Sequence, residues 1–353
     1  MKKTILCFLV ATVIISMVGT FSLGGCKTTT AAETAAETAA ETAAAAETTT
    51  AAATSETAKV VAEERPTFYW ICHGSEGVPI FTIASNAAKE TAEELNVNIN
   101  VSFHHNDAAS QKEAFGSAIA AGADGIASTN PAIGVLRDEV KLAQEKGIPV
   151  ITINTLDPSA PADAYVGSDL YKLGIEWATY LVDNKFVKAG DLVWLPVEVP
   201  GATYETEESR GIKSVFEPLG IKTELFDAGY DPSECLSNMV DYLTAHSKDT
   251  KAIIAMGDIC AAMIKQAFDQ AGVKPGEIPV VGWGNDLETA KALKAGYINA
   301  ATWQFPEALG YMAVFMLYQA WKGYPINYNI FTQYLFTQKD VDKYIDLLTK
   351  LSK

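Results

Sequence analysis

Residues 67–103 read TFYWICHGSEGVPIFTIASNAAKETAEELNVNINVSF. A run rich in aromatic and β-branched residues from Thr67 to Cys72 gives way to turn residues at His73-Gly74-Ser75-Glu76-Gly77. Apolar residues at helical spacing follow over 81–95, and a second β-rich run covers 97–103. Strand, loop, amphipathic helix and strand make one βαβ unit, the connection that a parallel pair of strands requires.

The same alternation continues after this unit. Further strands are expected at 125–128, 149–153 and 164–166, with helices at 108–121 and 133–146. A second series has strands at 192–195, 222–226, 252–255, 279–281 and 298–302, and helices at 205–217, 234–245, 260–271 and 287–295. Two series of similar length imply an α/β fold of two lobes with parallel sheets and a cleft between them. Open parallel sheets bind ligands beyond the carboxyl ends of their strands, so the strand-to-helix loops are where a site is sought.

Composition narrows the function classes. The chain has 353 residues, 48% of them hydrophobic, and a formal net charge of −16. That charge repels phosphate backbones, which excludes nucleic acid and favours a small neutral partner. Four His and five Cys, with no CxxC pair and no cluster at ligand spacing, provide no metal site, no cofactor attachment and no disulfide framework. Cys72, Cys235 and Cys260 read as buried free thiols.

The N-terminus carries Lys2 and Lys3, a largely apolar stretch over 4–21 and then small residues, which is the layout of a secretory signal peptide over 1–25. Leu23-Gly24-Gly25-Cys26 resembles the lipobox of bacterial lipoproteins, which implies cleavage before Cys26 and acylation of its thiol. Several acyl chains hold a protein on a membrane where a single chain would not. Residues 27–64 are almost only Ala, Thr and Glu, with Glu33, Glu37 and Glu41 four apart. Like charges at that spacing oppose a helix and no apolar face exists to pack, so 26–64 reads as a lipidated Cys and a disordered tether.

Several segments of the folded region resemble those of the type I periplasmic sugar-binding proteins. They are Ala123-Asp124-Gly125-Ile126, Gly147-Ile148-Pro149-Val150-Ile151-Thr152-Ile153-Asn154, Val280-Val281-Gly282-Trp283-Gly284-Asn285 and Gln304-Phe305-Pro306, spread over roughly 65–336 in the family's order. The resemblance implies two Rossmann-like lobes joined by three hinge segments near Asp169, Trp303 and Phe331, with the helix over 306–321 returning to the first lobe. The lobes would then be 65–168 plus 304–331 and 169–303 plus 332–353. It also implies capture of a sugar or polyol for the membrane permease of an ABC importer, outside the cytoplasm and anchored to a bacterial membrane.

A sugar presents hydroxyls in fixed directions and apolar C–H faces, so its site needs carboxylates or amides together with aromatic rings. His73, Ser75 and Glu76 lie in the loop that resembles the family's first ligand-contacting segment. Asn154 ends a strand where the family places an amide or acid; a turn role is its alternative. Glu208 stands where the family often has a ligand-facing Arg, which inverts the charge there. Arg210 either contacts ligand or pairs with acids of its own helix. Tyr230 sits at an aromatic position of the family, while Asp231 in Asp231-Pro232-Ser233-Glu234 reads as a helix cap. Asp258 is a cap or a contact, and Gly257 replaces the family's Asn. Trp283 is expected to stack on the ligand, Asn285 to substitute for the acid that Gly284 displaces, and Asp286 to cap the next helix. Gln304 matches a hinge-proximal glutamine.

Other readings compete. Gly74-Ser75-Glu76-Gly77 nearly forms a nucleophile elbow, but His73 stands where the first Gly belongs and no acid and His follow in hydrolase order, so no enzyme is expected. His104-His105 with Asp107 reads as ordinary histidines before a helix start. Repressors sharing the two-lobed core carry a DNA-binding helix-turn-helix where this chain has a signal peptide and tether. A nucleoside-binding lipoprotein of similar fold, or a sugar sensor for a chemoreceptor, remains as the alternative function.

Overall fold

The computed structural model describes residues 65–130 and 132–351. The expected signal peptide, the acylation expected at Cys26 and the expected tether lie outside the described residues. In chain order the first lobe contains β1 (Thr67–Cys72), α1 (Pro79–Glu94), β2 (Asn98–Phe103), α2 (Ala108–Ala120), β3 (Gly125–Thr129), α3 (Arg137–Glu145), β4 (Val150–Asn154) and β5 (Ala164–Gly167). The second contains α4 (Leu170–Asp183), β6 (Leu192–Val197), α5 (Thr203–Phe216), β7 (Lys222–Asp227), α6 (Pro232–His246), β8 (Thr250–Ala255), α7 (Asp258–Ala271), β9 (Val280–Trp283), α8 (Leu287–Lys294) and β10 (Ala300–Trp303). Then come α9 (Pro306–Trp321), β11 (Asn329–Phe331), β12 (Tyr334–Thr337) and α10 (Val341–Leu351).

Two six-stranded sheets form, in the orders β11-β5-β4-β3-β1-β2 and β12-β10-β9-β8-β6-β7. The chain passes between sheets three times, after β5, after β10 and between β11 and β12. The first sheet is parallel throughout. The second is parallel except at its edge, where β12 runs antiparallel to β10.

Central strands such as β3, β8 and β10 are buried along almost their whole length, as sheets covered by helices on both faces require. Each sheet has one helix pair drawn to backbone contact by glycine. A Cβ at Gly310 of α9 would lie 2.0 Å from the Ala84 carbonyl of α1; one at Gly174 of α4 would lie 2.2 Å from the Glu208 carbonyl of α5. Helix starts follow local chemistry. Asp107, Asp169, Asp231 and Asp286 accept amide hydrogens at the first turns of α2, α4, α6 and α8, and Pro79, Pro232 and Pro306 sit in first turns where a missing N–H costs nothing.

Some expectations need correction. No element was expected between 166 and 192, yet α4 fills that gap and buries Leu170, Leu173, Trp177, Ala178 and Leu181 at helical spacing. The helix expected over 133–146 is α3, which starts only at Arg137. Gly134 has φ 78°, and its N–H donates to Asp157 Oδ2 at 2.6 Å instead of entering a helix. The free thiols Cys72, Cys235 and Cys260 are all buried, with the Cys235 and Cys260 sulfurs 3.7 Å apart between α6 and α7. None of the helices among the described residues is long and apolar enough to cross a membrane.

Candidate functional site

In each sheet the strand order reverses direction once, between β1 and β3 in the first and between β6 and β8 in the second. At such a switch point the neighbouring crossovers leave on opposite faces, and a crevice opens beyond the carboxyl ends of the strands. His73 follows β1, Asn130 follows β3, Glu198 follows β6, and Gly257 and Asp258 follow β8. All five line one cavity of about 380 Å³, so the two crevices face each other. Asn154, Trp283 and Gln304, at the ends of β4, β9 and β10, line it as well. That volume lies at the small end of ligand pockets.

The floor is a hydrogen-bonded chain of side chains. The Asn285 amide donates to both oxygens of Asp258 at 3.1 Å and to Gln304 Oε1 at 2.8 Å, while its Oδ1 accepts the Gln304 backbone N–H at 3.0 Å. Gln304 Nε2 in turn faces Asn154 Oδ1 at 3.5 Å and the Ser168 hydroxyl at 3.4 Å. This chain runs from the second sheet, through a segment between the sheets, to the first. Asn154 has φ 67°, a left-handed conformation that Asn tolerates better than most side chains.

The wall from the second lobe is acidic. Glu198 Oε1 accepts the N–H groups of Ile259 at 2.5 Å and Cys260 at 3.2 Å, so it caps α7 from a strand sixty residues upstream. A Cβ at position 257 would fall 2.3 Å from that carboxyl group, which is why glycine stands there. Burial, and then the charge of Asp258, push the Glu198 carboxyl up to about 8; burial pushes Asp258 up to about 6. Glu208 is fully buried and neither of its oxygens has a well-formed hydrogen bond; the Trp283 indole is the donor that faces it. Its carboxyl is raised well above the usual range, by burial first and then by Glu205 and Glu198.

The opposite wall supplies neutral groups. The His73 ring nitrogen Nδ1 lies 2.7 Å from Thr129 Oγ1 and its ring packs edge-on to Phe81, and burial lowers its pKa to about 4, which keeps it uncharged. Asn130 donates to Asp157 Oδ2 at 3.2 Å, which fixes the amide end. Its Oδ1 is buried and unpartnered, at a cost of about 1–3 kcal/mol until a donor arrives. Tyr230 of the second lobe faces Asn106 and Ser75 of the first across the cavity. Tyr204 also lines the cavity. Trp283 is 5% exposed and held edge-on by Trp177 at 5.3 Å.

Of the expected contacts, His73, Asn154, Tyr230, Asp258, Trp283 and Gln304 line the cavity. The others sit elsewhere. Ser75 bonds His105 Nδ1 at 3.0 Å beside the mouth, and Glu76 is exposed. Arg210 is on the surface, paired with Glu207 at 2.5 Å and stacked over the Tyr171 ring at 3.9 Å, so the intrahelical alternative holds. Asn285 is 1% exposed and does not line the cavity; its N–H groups go to Asp258 and Gln304 and its Oδ1 accepts the Gln304 N–H, so it positions those two residues. Gly284 is set by Tyr344, whose hydroxyl bonds the Gly284 carbonyl and occupies the space of any Cβ there. Asp107 Oδ1 caps α2 by accepting from the amides of Ala109 and Ser110. No group of three or more His, Cys, Asp or Glu among the described residues is arranged to hold a metal ion.

Glu198, Asn130 and Phe81 were not anticipated. Glu198 had one available signal, its place directly after a β-rich run and before Pro200-Gly201.

Comparison with known proteins gives a consistent picture. A family model described as periplasmic binding protein domain matches residues 68–325. The ribose import binding protein of Bacillus subtilis (strain 168) is 24% identical over 236 residues, spanning 67% of this chain and 75% of that protein. The periplasmic sugar binding protein of an ABC sugar transporter from Legionella pneumophila is 25% identical, with a TM-score of 0.68 and coverage of 75% of this chain and 98% of its own. A solute binding protein from Bacillus halodurans C-125, solved with bound myo-inositol, is 20% identical with a TM-score of 0.72, covering 80% of this chain and 98% of its own; this last likeness speaks to the fold alone.

Proposed function

The chain belongs to the periplasmic binding protein domain family, and on that premise we propose that it is an extracytoplasmic lipoprotein that captures a sugar or polyol between its lobes and presents it to an ABC importer. The carrying observation is the cavity of about 380 Å³, walled by carboxyl-end loops of both sheets and furnished with amides, carboxylates and aromatic rings. A ligand favours a closed state only through contacts the open state lacks, and a site split between lobes supplies them. The similarity to a ribose import binding protein supports this ligand class. Cys26 and the Ala/Thr/Glu segment after it support a lipid anchor that holds the binding region off the membrane.

The test is a thermal-shift screen against sugars and polyols, with nucleosides as a second set, followed by recovery of the ligand. A sugar or polyol that raises the melting temperature and is recovered intact supports binding without turnover. A nucleoside hit replaces the ligand class, and conversion of the ligand would make the protein an enzyme. Acyl labelling tests the anchor: Cys26→Ala should abolish it, and unchanged labelling would remove the lipid from the account.

A further inference from the structure

Among the described residues no Lys or Arg side chain lines the cavity. The acidic groups on its wall are Glu198 and Asp258, and the carboxyl of Glu208 is buried beside Trp283 with no well-formed hydrogen bond. Among the described residues no Lys or Arg pairs with these acids: Glu198 has only the first-turn amides of α7 and Asp258 only Asn285, so Glu198 ionises at a cost that an incoming cation would offset. The unpartnered buried oxygen on the first-lobe wall, Asn130 Oδ1, also seeks a donor. Glu198 spends Oε1 on the α7 amides, while Oε2 makes no hydrogen bond within the protein. The valences left open are therefore mainly acceptors, on both walls of one cavity that also holds Phe81, Tyr204, Tyr230 and Trp283.

A plain sugar hydroxyl carries one donor and no charge. An ammonium carries three donors, no acceptor and a positive charge, and aromatic rings attract it. We propose that the cleft takes a sugar or polyol bearing a protonated amine, with the amine held by Glu198 and Asp258 and its hydroxyls served by Asn154 and His73. This rests on the function proposed above and names the ligand class for the same cavity.

Matched sets test it by calorimetry on the intact protein: glucose, glucosamine and N-acetylglucosamine; galactose and galactosamine; myo-inositol and an amino-inositol. In at least one set the free amine should bind tenfold or more tightly than both its hydroxyl parent and, where present, its uncharged acetamide. In Glu198→Gln, which keeps shape and cannot ionise to meet an ammonium, that ratio should fall towards one; Asp258→Asn provides an independent second variant should the first not fold. Equal or tighter binding of the neutral members overturns the inference and leaves the proposed sugar-binding function standing. An amine preference that survives in both variants overturns the assignment to these acids. Failure of every member, neutral and aminated alike, overturns both readings.

Discussion

At the scale of single residues the cavity lining divides into groups that we propose meet a ligand, Trp283 and Asn154 among them, and groups that aim these. Losing the ring of Trp283 should cost about 1–3 kcal/mol of binding, about 5- to 150-fold in affinity, and Asn154→Ala should cost about as much by stranding a desolvated hydroxyl. Calorimetry on both variants checks this, and binding within twofold of the parent in both would move the site. Asn285 is of the second kind, and its buried amide was read as a contact because sequence shows residue type and position but not spent valence. The acids add a pH signature. Glu198 and Asp258 hold protons in the folded state, with values of about 8 and about 6, that an unfolded chain releases above its ordinary carboxylate range. The folded state thus binds more protons than the unfolded, and the stability of the ligand-free protein should fall as pH rises from about 5 to about 8. Melting curves across that range should show the decline, and a shallower one in Glu198→Gln; a flat or rising profile would contradict the buried acids.

At the scale of elements, strand ends carry the site and helix starts fix its geometry. Gly257 illustrates the coupling, since its missing Cβ admits the Glu198 carboxyl to the first turn of α7. Gly257→Ala should expel that carboxyl, cost about 1 kcal/mol or more through the lost cap and weaken ligand binding together with it. Thermal melts and calorimetry on the one variant read both effects, and unchanged binding would separate the cap from the site. Here too lies the boundary of what sequence reveals. Strands and most helices were legible because period, proline and Asp caps are local signals; the Asp231 and Asp286 caps are of this sort. The Glu198 cap is not, because donor and acceptor are joined only by the pairing of β6 with β8. Gly257 and Gly284 were recognised as departures from the family pattern, yet their causes, Glu198 and Tyr344, became visible only in three dimensions.

At the scale of the whole molecule, two sheets present their switch points to one cavity while the chain passes between them three times. The Asp258–Asn285–Gln304–Asn154 chain crosses at the floor and Tyr230 meets Asn106 and Ser75 at the mouth. Contacts at both ends of the cleft are what a ligand-driven closure would use, because a small solute can draw two lobes together only if each contributes to its binding. The most direct measurement is small-angle scattering of the protein with and without the ligand found by screening. The account predicts a smaller radius of gyration in the liganded protein, reversed when the ligand is removed and diminished in Trp283→Ala at the same ligand concentration. An unchanged radius at saturating ligand would contradict closure of two lobes around a shared site.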